Sequence, residues 1–156
     1  MTRTEPSNPA PSADSKPWWA DGLPFSCQQS GKCCHQRGGY GYVYVNARER
    51  QRIADQLDVS LGTFNRRYTR PEDDGARVLR FVDGACIFLQ DGLCSIHEVK
   101  PVQCRTWPFW EELLASPEVY EREVRAFCPG SRQGPRVDPR SIREQMEETE
   151  AALWEV

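Results

Sequence analysis

Apolar side chains recur at helical spacing after residues that can cap a helix. Asn46 is followed three residues later by Glu49, which is the pattern of a capping box, and Ile53 and Ala54 then begin an apolar face. This combination predicts a helix over residues 47–57.

Four further patterns predict helices that start at a capping residue or a proline. They begin after Ser60, at Pro101, at Ser116-Pro117 and at Asp138-Pro139. The second ends at Trp107-Pro108, because a residue that precedes proline disfavours helix. The last is highly charged, and its apolar seam is thin: Ile142, Met146 and Leu153. We therefore expect this helix to pack weakly or against another element.

Short apolar runs bounded by turn residues predict strands over residues 42–45, 77–82, 86–90 and 93–97. Asp91-Gly92 is a strong hairpin signal between the last two. A two-residue turn pairs Leu89 with Cys94, which puts Cys86 and Cys94 on opposite faces. A three-residue loop with a bulge at Gly92 would put both sulfurs on one face. We expect this shifted register, since only it lets the two cysteines share an ion.

The charge and hydropathy of the chain argue against two classes of partner. The formal net charge is -3 at pH 7, whereas binding to nucleic acid usually requires a basic field. No stretch is long and apolar enough to span a bilayer, and the first twenty residues contain no apolar segment of a signal peptide. We expect a cytoplasmic protein without nucleic-acid or membrane partners.

Seven cysteines lie in the central two thirds of the chain. A thiolate is a soft, strong metal ligand, whereas disulfides are rare in a reducing compartment and an odd number of cysteines would leave one unpaired. The clustering predicts metal binding, of zinc or of an iron–sulfur cluster. The candidate ligands are Cys27, Cys33, Cys34, Cys86, Cys94, Cys104 and Cys128.

The residues around these cysteines affect which of them can bind a metal and which other side chains contribute. Cys33 and Cys34 are adjacent, so they cannot both reach one ion unless the backbone turns there. Cys104 falls near the start of a predicted helix, where the dipole favours a thiolate. His35 and His97 each lie near a cysteine and are candidate ligands. Four nearby cations can offset the negative charge of a thiolate site: Lys32, Arg37, Lys100 and Arg105.

Together these patterns predict an α+β fold, a small single metal-stapled domain with a short antiparallel hairpin and several short helices. A disordered tail over residues 1–16 is expected from its Ser- and Pro-rich composition. The cysteine-cluster domain is expected over residues 17–136, and the charged C-terminal helix over 137–156.

Three segments resemble the YkgJ family of cysteine-cluster proteins, whose zinc- or iron-chelating domain has a C-x-x-C-x-x-C-C signature. They are FSCQQSGKCC, CIFLQDGLCSIHEVKPVQCRTWPFW and FCPG. The resemblance spans roughly residues 25–130 and implies metal binding. The second cysteine of the signature corresponds to Ser30, so the site has one ligand fewer or another residue completes it, such as His35, Asp91 or Cys128.

Three functions are consistent with these features. The one we favour is a metal-binding protein with a structural or redox zinc or iron–sulfur centre, acting alone or through a protein partner. The second is an iron–sulfur oxidoreductase or a component of a protein-modifying enzyme, for which His97 and Glu98 are the candidate acid–base pair. The domain also resembles part of the flagellin lysine methylases, where an iron–sulfur cluster is implied, although this chain offers no candidate methyl-donor site. The third is a zinc-stapled interaction module.

Overall fold

The structure is a computed structural model that describes residues 15–36 and 42–155. Within these ranges it contains five α-helices and four two-stranded antiparallel pairs, which confirms the predicted α+β class. The helices are α1 (Ala47–Gln56), α2 (Leu61–Tyr68), α3 (Val102–Thr106), α4 (Pro117–Tyr120) and α5 (Pro139–Trp154). Residues 1–14 of the predicted tail lie outside the described residues.

The strands are only two or three residues long. They are β1 (Leu23–Pro24), β2 (Thr69–Pro71), β3 (Arg77–Leu79), β4 (Phe81–Val82), β5 (Ala85–Cys86), β6 (Leu89–Gln90), β7 (Leu93–Cys94) and β8 (Arg136–Val137). Six of them pair with their neighbour in sequence, as β2–β3, β4–β5 and β6–β7. The fourth pair, β1–β8, joins the two ends of the domain.

The capping residues identified in the sequence start the helices as predicted. In α1 the Asn46 side chain accepts from the backbone N–H of Glu49, and the Glu49 carboxylate accepts from the backbone N–H of Asn46, both at 2.9 Å. In three other helices the side chain of the cap accepts from the backbone N–H three residues later. These caps are Ser60 for α2, Ser116 for α4 and Asp138 for α5. Local sequence therefore sets most helix starts.

The centre of the chain is more broken than the sequence patterns predict. The strand expected over 77–82 divides at Arg80 into β3 and β4, and the strand expected over 86–90 divides at a turn formed by Ile87 and Phe88. The result is two consecutive tight hairpins, β4–β5 and β6–β7, instead of one long ribbon.

The shifted register expected at Asp91-Gly92 is wrong. Leu89 pairs with Cys94 and Gln90 with Leu93, so the loop has two residues. Asp91 and Gly92 both have positive φ, at 50° and 77°, which is the backbone shape of the hairpin turn that matches strand twist. The turn chemistry of Asp-Gly decides the register, and a bulge is not needed.

Buried side chains form two hydrophobic clusters. The outer cluster comes from both ends of the domain: Trp19, Leu23, Trp107, Phe109, Trp110, Leu113, Leu114, Tyr120, Val124 and Ile142. The inner cluster comes from the middle of the chain: Val45, Ile53, Ala54, Phe64, Leu79, Cys86, Phe88 and Ile96. The cysteines lie where the two clusters meet.

Helix α5 packs on α3, the helix that carries Cys104. Ile142 is fully buried, and the hydroxyls of Thr106 and Thr149 lie 2.5 Å apart. Leu153, by contrast, is 42% exposed, so the predicted apolar seam holds only over the first half of the helix. Among the described residues, no helix is both long enough and apolar enough to cross a membrane.

Candidate metal centre

All seven cysteines and both histidines line one cavity of about 270 Å³. They reach it from separate parts of the chain: the loop before α1, the two central hairpins, the turn that precedes α3, α3 itself and the segment after α4. One wall carries Phe25, Trp107 and Trp110 from the outer cluster, and the other carries Phe88 and Leu79 from the inner cluster. The side chains predicted as ligands are thus brought together, and their role as ligands stays a prediction.

The first cysteine segment turns at Gly31. Gly31 has φ 72°, and a Cβ there would lie 2.6 Å from the carbonyl oxygen of Gly92, so only glycine allows the loop to approach the β6–β7 turn so closely. A 3₁₀ turn over Lys32–Cys34 follows at once. This turn supplies the backbone bend without which Cys33 and Cys34 could not both face one site.

The same segment then pairs with the first hairpin. His35 forms an antiparallel bridge with Ala85, and the backbone N–H of Gln36 donates to the carbonyl of Gly84 at 2.8 Å. These bonds bring Cys34 close to Cys86, the residue that follows Ala85. Cys86 and Cys94 belong to different hairpins, so both line the cavity without a shift of register.

Three thiols interact directly at one end of the cavity. The Cys34 side chain hydrogen-bonds to both Cys33 and Cys94, which raises the pKa of Cys34. As the partners that accept from Cys34, the other two are shifted downward: the pKa of Cys33 falls to about 7 and that of Cys94 to about 6. The Lys100 charge lowers both further, against the opposing effect of burial. Because Cys34 has one S–H to donate and a charged Cys94 opposes ionisation of Cys33, the three thiols titrate together, and a thiolate among them is favoured near neutral pH.

Burial has the opposite effect on the two deeper thiols. It raises the pKa of Cys86 to about 11, and it raises the pKa of Cys104 well above its ordinary value. The expectation that the helix dipole would favour a thiolate at Cys104 is therefore wrong for the free thiol. Helix α3 has only five residues, and the desolvation of a buried charge outweighs its dipole.

Cys27 and Cys128 occupy the side of the cavity formed by the outer cluster. The backbone N–H of Ser26 donates to the carbonyl of Gly130 at 3.0 Å. A Cβ on Gly130 would lie 2.1 Å from the Ser26 carbonyl oxygen, so the two segments are in backbone contact. Cys27 is exposed and Cys128 half-buried, which places them nearer solvent than Cys86.

The donor set suits a thiophilic metal, and its present arrangement does not enclose one. Among the described side chains, no group of three or more His, Cys, Asp or Glu is positioned to hold a metal ion. The α+β class is established, and the metal staple stays a prediction. Ser30, His35 and Cys128 line the cavity and Asp91 does not, so His35 and Cys128 lie nearer the thiols than Asp91. Whether one of them replaces the missing family cysteine, or the site has one ligand fewer, stays a prediction.

Glu49 and Gln103 hold α3, and so Cys104, in place through bonds that the sequence patterns do not predict. Glu49 accepts from the backbone N–H of Val102 at 2.7 Å with its second carboxylate oxygen. Gln103 accepts from the backbone N–H of Tyr44 at 2.9 Å and donates to the carbonyl of Tyr42 at 2.8 Å. The capping pattern identified Glu49 as important for α1 only, and no sequence signal identifies Gln103.

The fold and the cavity define a small α+β domain whose cysteines are gathered around one site. Comparison with known proteins agrees: the model of the CxxCxxCC family, described as a "putative zinc- or iron-chelating domain", matches residues 26–129. The match covers well over half of the chain, so this chain belongs to that family, and the resemblance seen in the sequence is confirmed.

A curated relative adds little about activity. An uncharacterised protein of Methanocaldococcus jannaschii is 28% identical over 93 residues, which cover 58% of this chain and 48% of the relative. The chain thus spans about half the length of that relative. No solved structure gives a significant match.

Proposed function

We propose that this protein binds zinc or iron through cysteine thiolates in the cavity between its two hydrophobic clusters. The observation that carries the proposal is the convergence of all seven cysteines on one cavity from segments up to a hundred residues apart. Buried thiols without a partner or a metal have no reason to collect in this way, since each behaves as a small apolar side chain.

Cys33, Cys34 and Cys94 would provide the first ligands. Cys34 lies within hydrogen-bonding reach of both Cys33 and Cys94, and the lowered pKa values of Cys33 and Cys94 favour the thiolate form that a metal requires. Cys104 or Cys86 would complete the set by releasing its proton to solvent as its sulfur binds the metal, because a thiol that coordinates a metal is deprotonated. Bound metal would cross-link the inner and outer clusters and, if it is iron, would supply a redox centre.

A single ion is the form that the close group of three thiols supports best. Sulfurs around one tetrahedral zinc lie roughly 3.8 Å apart, as follows from a Zn–S bond of about 2.3 Å. This spacing is similar to that of sulfurs joined by a hydrogen bond. An iron–sulfur cluster is the second candidate, because the cavity volume of about 270 Å³ leaves room for more than one ion.

The role of the metal centre depends on whether it is a zinc ion or an iron–sulfur cluster. A zinc ion would make the protein a structural or protein-interaction module. An iron–sulfur cluster would support electron transfer or an oxidoreductase, and His97 and Glu98, which line the cavity, are the residues placed to handle protons beside it. No residue among those described assigns a substrate.

Anaerobic purification with metal analysis and a visible absorption spectrum tests the proposal. Stoichiometric zinc without colour would identify a structural ion, and iron with sulfide and broad visible absorption would identify a cluster. Cys94→Ser should lose the metal, whereas Lys32→Met, an exposed change next to Cys33, should retain it. Seven freely titrating thiols in folded protein that takes up neither metal would contradict the proposal.

A further inference from the structure

Lys100 differs from every other cation that the sequence places near the cysteines. It lines the cavity together with the thiols, whereas Lys32 is exposed and outside the cavity wall. Arg105 points away and pairs with Glu148 of α5. The remaining predicted cation, Arg37, lies outside the described residues. Of the described lysines and arginines, only Lys100 is part of the wall.

The backbone around Lys100 is held on both sides. Arg52 of α1 donates to the carbonyl oxygens of Val99 and Lys100, at 3.4 and 3.2 Å. Pro101 is buried, and Val102 is bonded to Glu49. The Lys100 side chain therefore leaves the backbone at a turn that is held by hydrogen bonds on both sides.

The Lys100 ammonium lies beside an imidazole ring and has no carboxylate partner among the described residues. Its Nζ lies 3.5 Å from Nδ1 of His97. Within the part of the chain that the structure describes, no carboxylate forms an ion pair with it. A half-buried positive charge without a counter-ion is unfavourable by itself. Negative charge in the cavity would offset the free-energy cost of burying the Lys100 ammonium.

Thiolates are that negative charge. Lys100 shares the cavity wall with Cys33, Cys94 and Cys104 and lies close enough for its charge to act on all three. Lys32 is adjacent to Cys33 in sequence, yet it lies outside the cavity wall.

From this placement we infer that Lys100 is the positioned counter-charge of the thiolate centre and sets how tightly the centre holds its metal. The inference rests on the proposed function. Four thiolates around a divalent ion carry a net charge of about -2 by simple addition, and a fixed cation beside them stabilises that excess. Lys100 would thus not bind the metal itself, and its positive charge would act on the thiolate ligands through space.

Zinc affinity of the reduced, metal-free full-length protein, measured by competition with a chromophoric chelator, tests this role. Lys100→Met keeps the aliphatic stem and removes the charge, and we expect it to weaken zinc binding by roughly 10- to 100-fold, the range typical of groups that support metal ligands. Lys100→Arg keeps the charge and should retain the wild-type affinity. Lys32→Met changes the net charge equally and should have little effect. High salt should remove any effect of Lys32→Met and leave most of the loss in Lys100→Met, because partly buried charges are screened less.

The outcomes separate this inference from the proposed function. If wild-type protein binds zinc and Lys100→Met binds it equally tightly, the counter-charge role is overturned and metal binding stands. Equal weakening in Lys100→Met and Lys100→Arg would assign the effect to packing and would also overturn it. If wild-type protein binds neither zinc nor iron, the proposed function fails and the inference falls with it. Circular dichroism of each metal-free variant checks folding, and Lys100→Gln replaces Lys100→Met if the latter does not fold.

Discussion

Removing the Glu49 carboxylate tests how the wall that carries Cys104 is held. Glu49 is 4% exposed, and its two oxygens accept from the backbone N–H groups of Asn46 and Val102, at 2.9 and 2.7 Å. One carboxylate thus closes the cap of α1 and also fixes the first residue of α3, 53 positions away in the chain. Glu49→Ala leaves both donors without their acceptor.

The expected magnitude follows from those two bonds. A buried donor that loses its partner costs about 1–3 kcal/mol, so Glu49→Ala should lower the free energy of unfolding by about 4 kcal/mol, the middle of the summed range. Glu49→Gln keeps one acceptor and turns an amide N–H toward the other donor, so it should cost about half as much. For a domain of this length, each kcal/mol corresponds to roughly 2–4 °C of melting temperature.

Urea unfolding of the metal-free variants measures these differences, and hydrogen exchange of the Val102 amide reports directly on the second bond. Asn46→Ala is the matched control, because it removes the cap side chain of α1 and leaves the bond to Val102 intact. It should cost about 1 kcal/mol and leave Val102 protected. A loss in Glu49→Ala no greater than that in Asn46→Ala, with Val102 still protected, would refute the argument that Glu49 connects the two helices.

Three further predictions concern the cysteines and the loop that carries them. Gly31→Ala should destabilise the protein and loosen the Cys33-Cys34 turn, since a Cβ would lie 2.6 Å from the Gly92 carbonyl at φ 72°; thermal melting measures this, and Gly75→Ala, which has a positive φ and open space, is the control for backbone strain alone. Iodoacetamide should alkylate Cys94 in metal-free protein with a rate that halves as pH falls to about 6, because hydrogen bonding from Cys34 holds the Cys94 pKa there. An alkylation rate that is flat from pH 5 to 8 would contradict this prediction. Since the folded-state pKa of Cys94 lies below the ordinary value of 9.0, its thiolate stabilises the folded chain fully above pH 9. This contribution to stability is lost as pH falls through about 6. Cys94→Ala should lower metal content and melting temperature together, because apparent metal-binding energies of roughly 10 kcal/mol rival the whole stability of a domain; a fully metal-loaded variant with unchanged melting would contradict a structural role.

The parts of the fold that could be predicted are those fixed by neighbouring residues. Asn46, Ser60, Ser116 and Asp138 each cap a helix through a bond to a residue three positions away, and this bond needs no knowledge of the rest of the chain. The turn at Asp91-Gly92 is equally local. The shifted register is wrong because it requires Cys86 and Cys94 to lie on one ribbon, whereas the chain turns at Ile87 and Phe88 between them.

The sequence also carries a second hairpin signal, upstream of the first. Asp83-Gly84 is the same dipeptide as Asp91-Gly92, and it also adopts positive φ at both residues, 51° and 79°. It was not predicted as a hairpin because the strands beside it have two residues each, too short for alternation to show. The spacing of these two turns, eight residues apart, was a visible sign of successive hairpins.

The hydrogen bonds that hold the cavity walls join residues far apart in the sequence, so local patterns do not predict them. The bond from Val102 to Glu49 spans 53 residues, and the bond from Tyr44 to Gln103 spans 59. Neither pair carries a pattern of its own, because an amide or carboxylate side chain can bond to any backbone group that folding brings near it. The clustering of cysteines in sequence predicted a common site, and these distant contacts are what assemble its walls.

The two hydrophobic clusters differ in how far apart their members lie along the chain. The inner cluster draws on a continuous stretch from Val45 to Ile96, whereas the outer one needs Trp19 and Leu23 to meet Ile142. Short loops close at lower entropic cost and faster than long ones. The middle of the chain is therefore expected to order first, and the two ends to close around it afterwards. An ion held between Cys94 of the early part and Cys128 of the late part would stabilise the product of that last step.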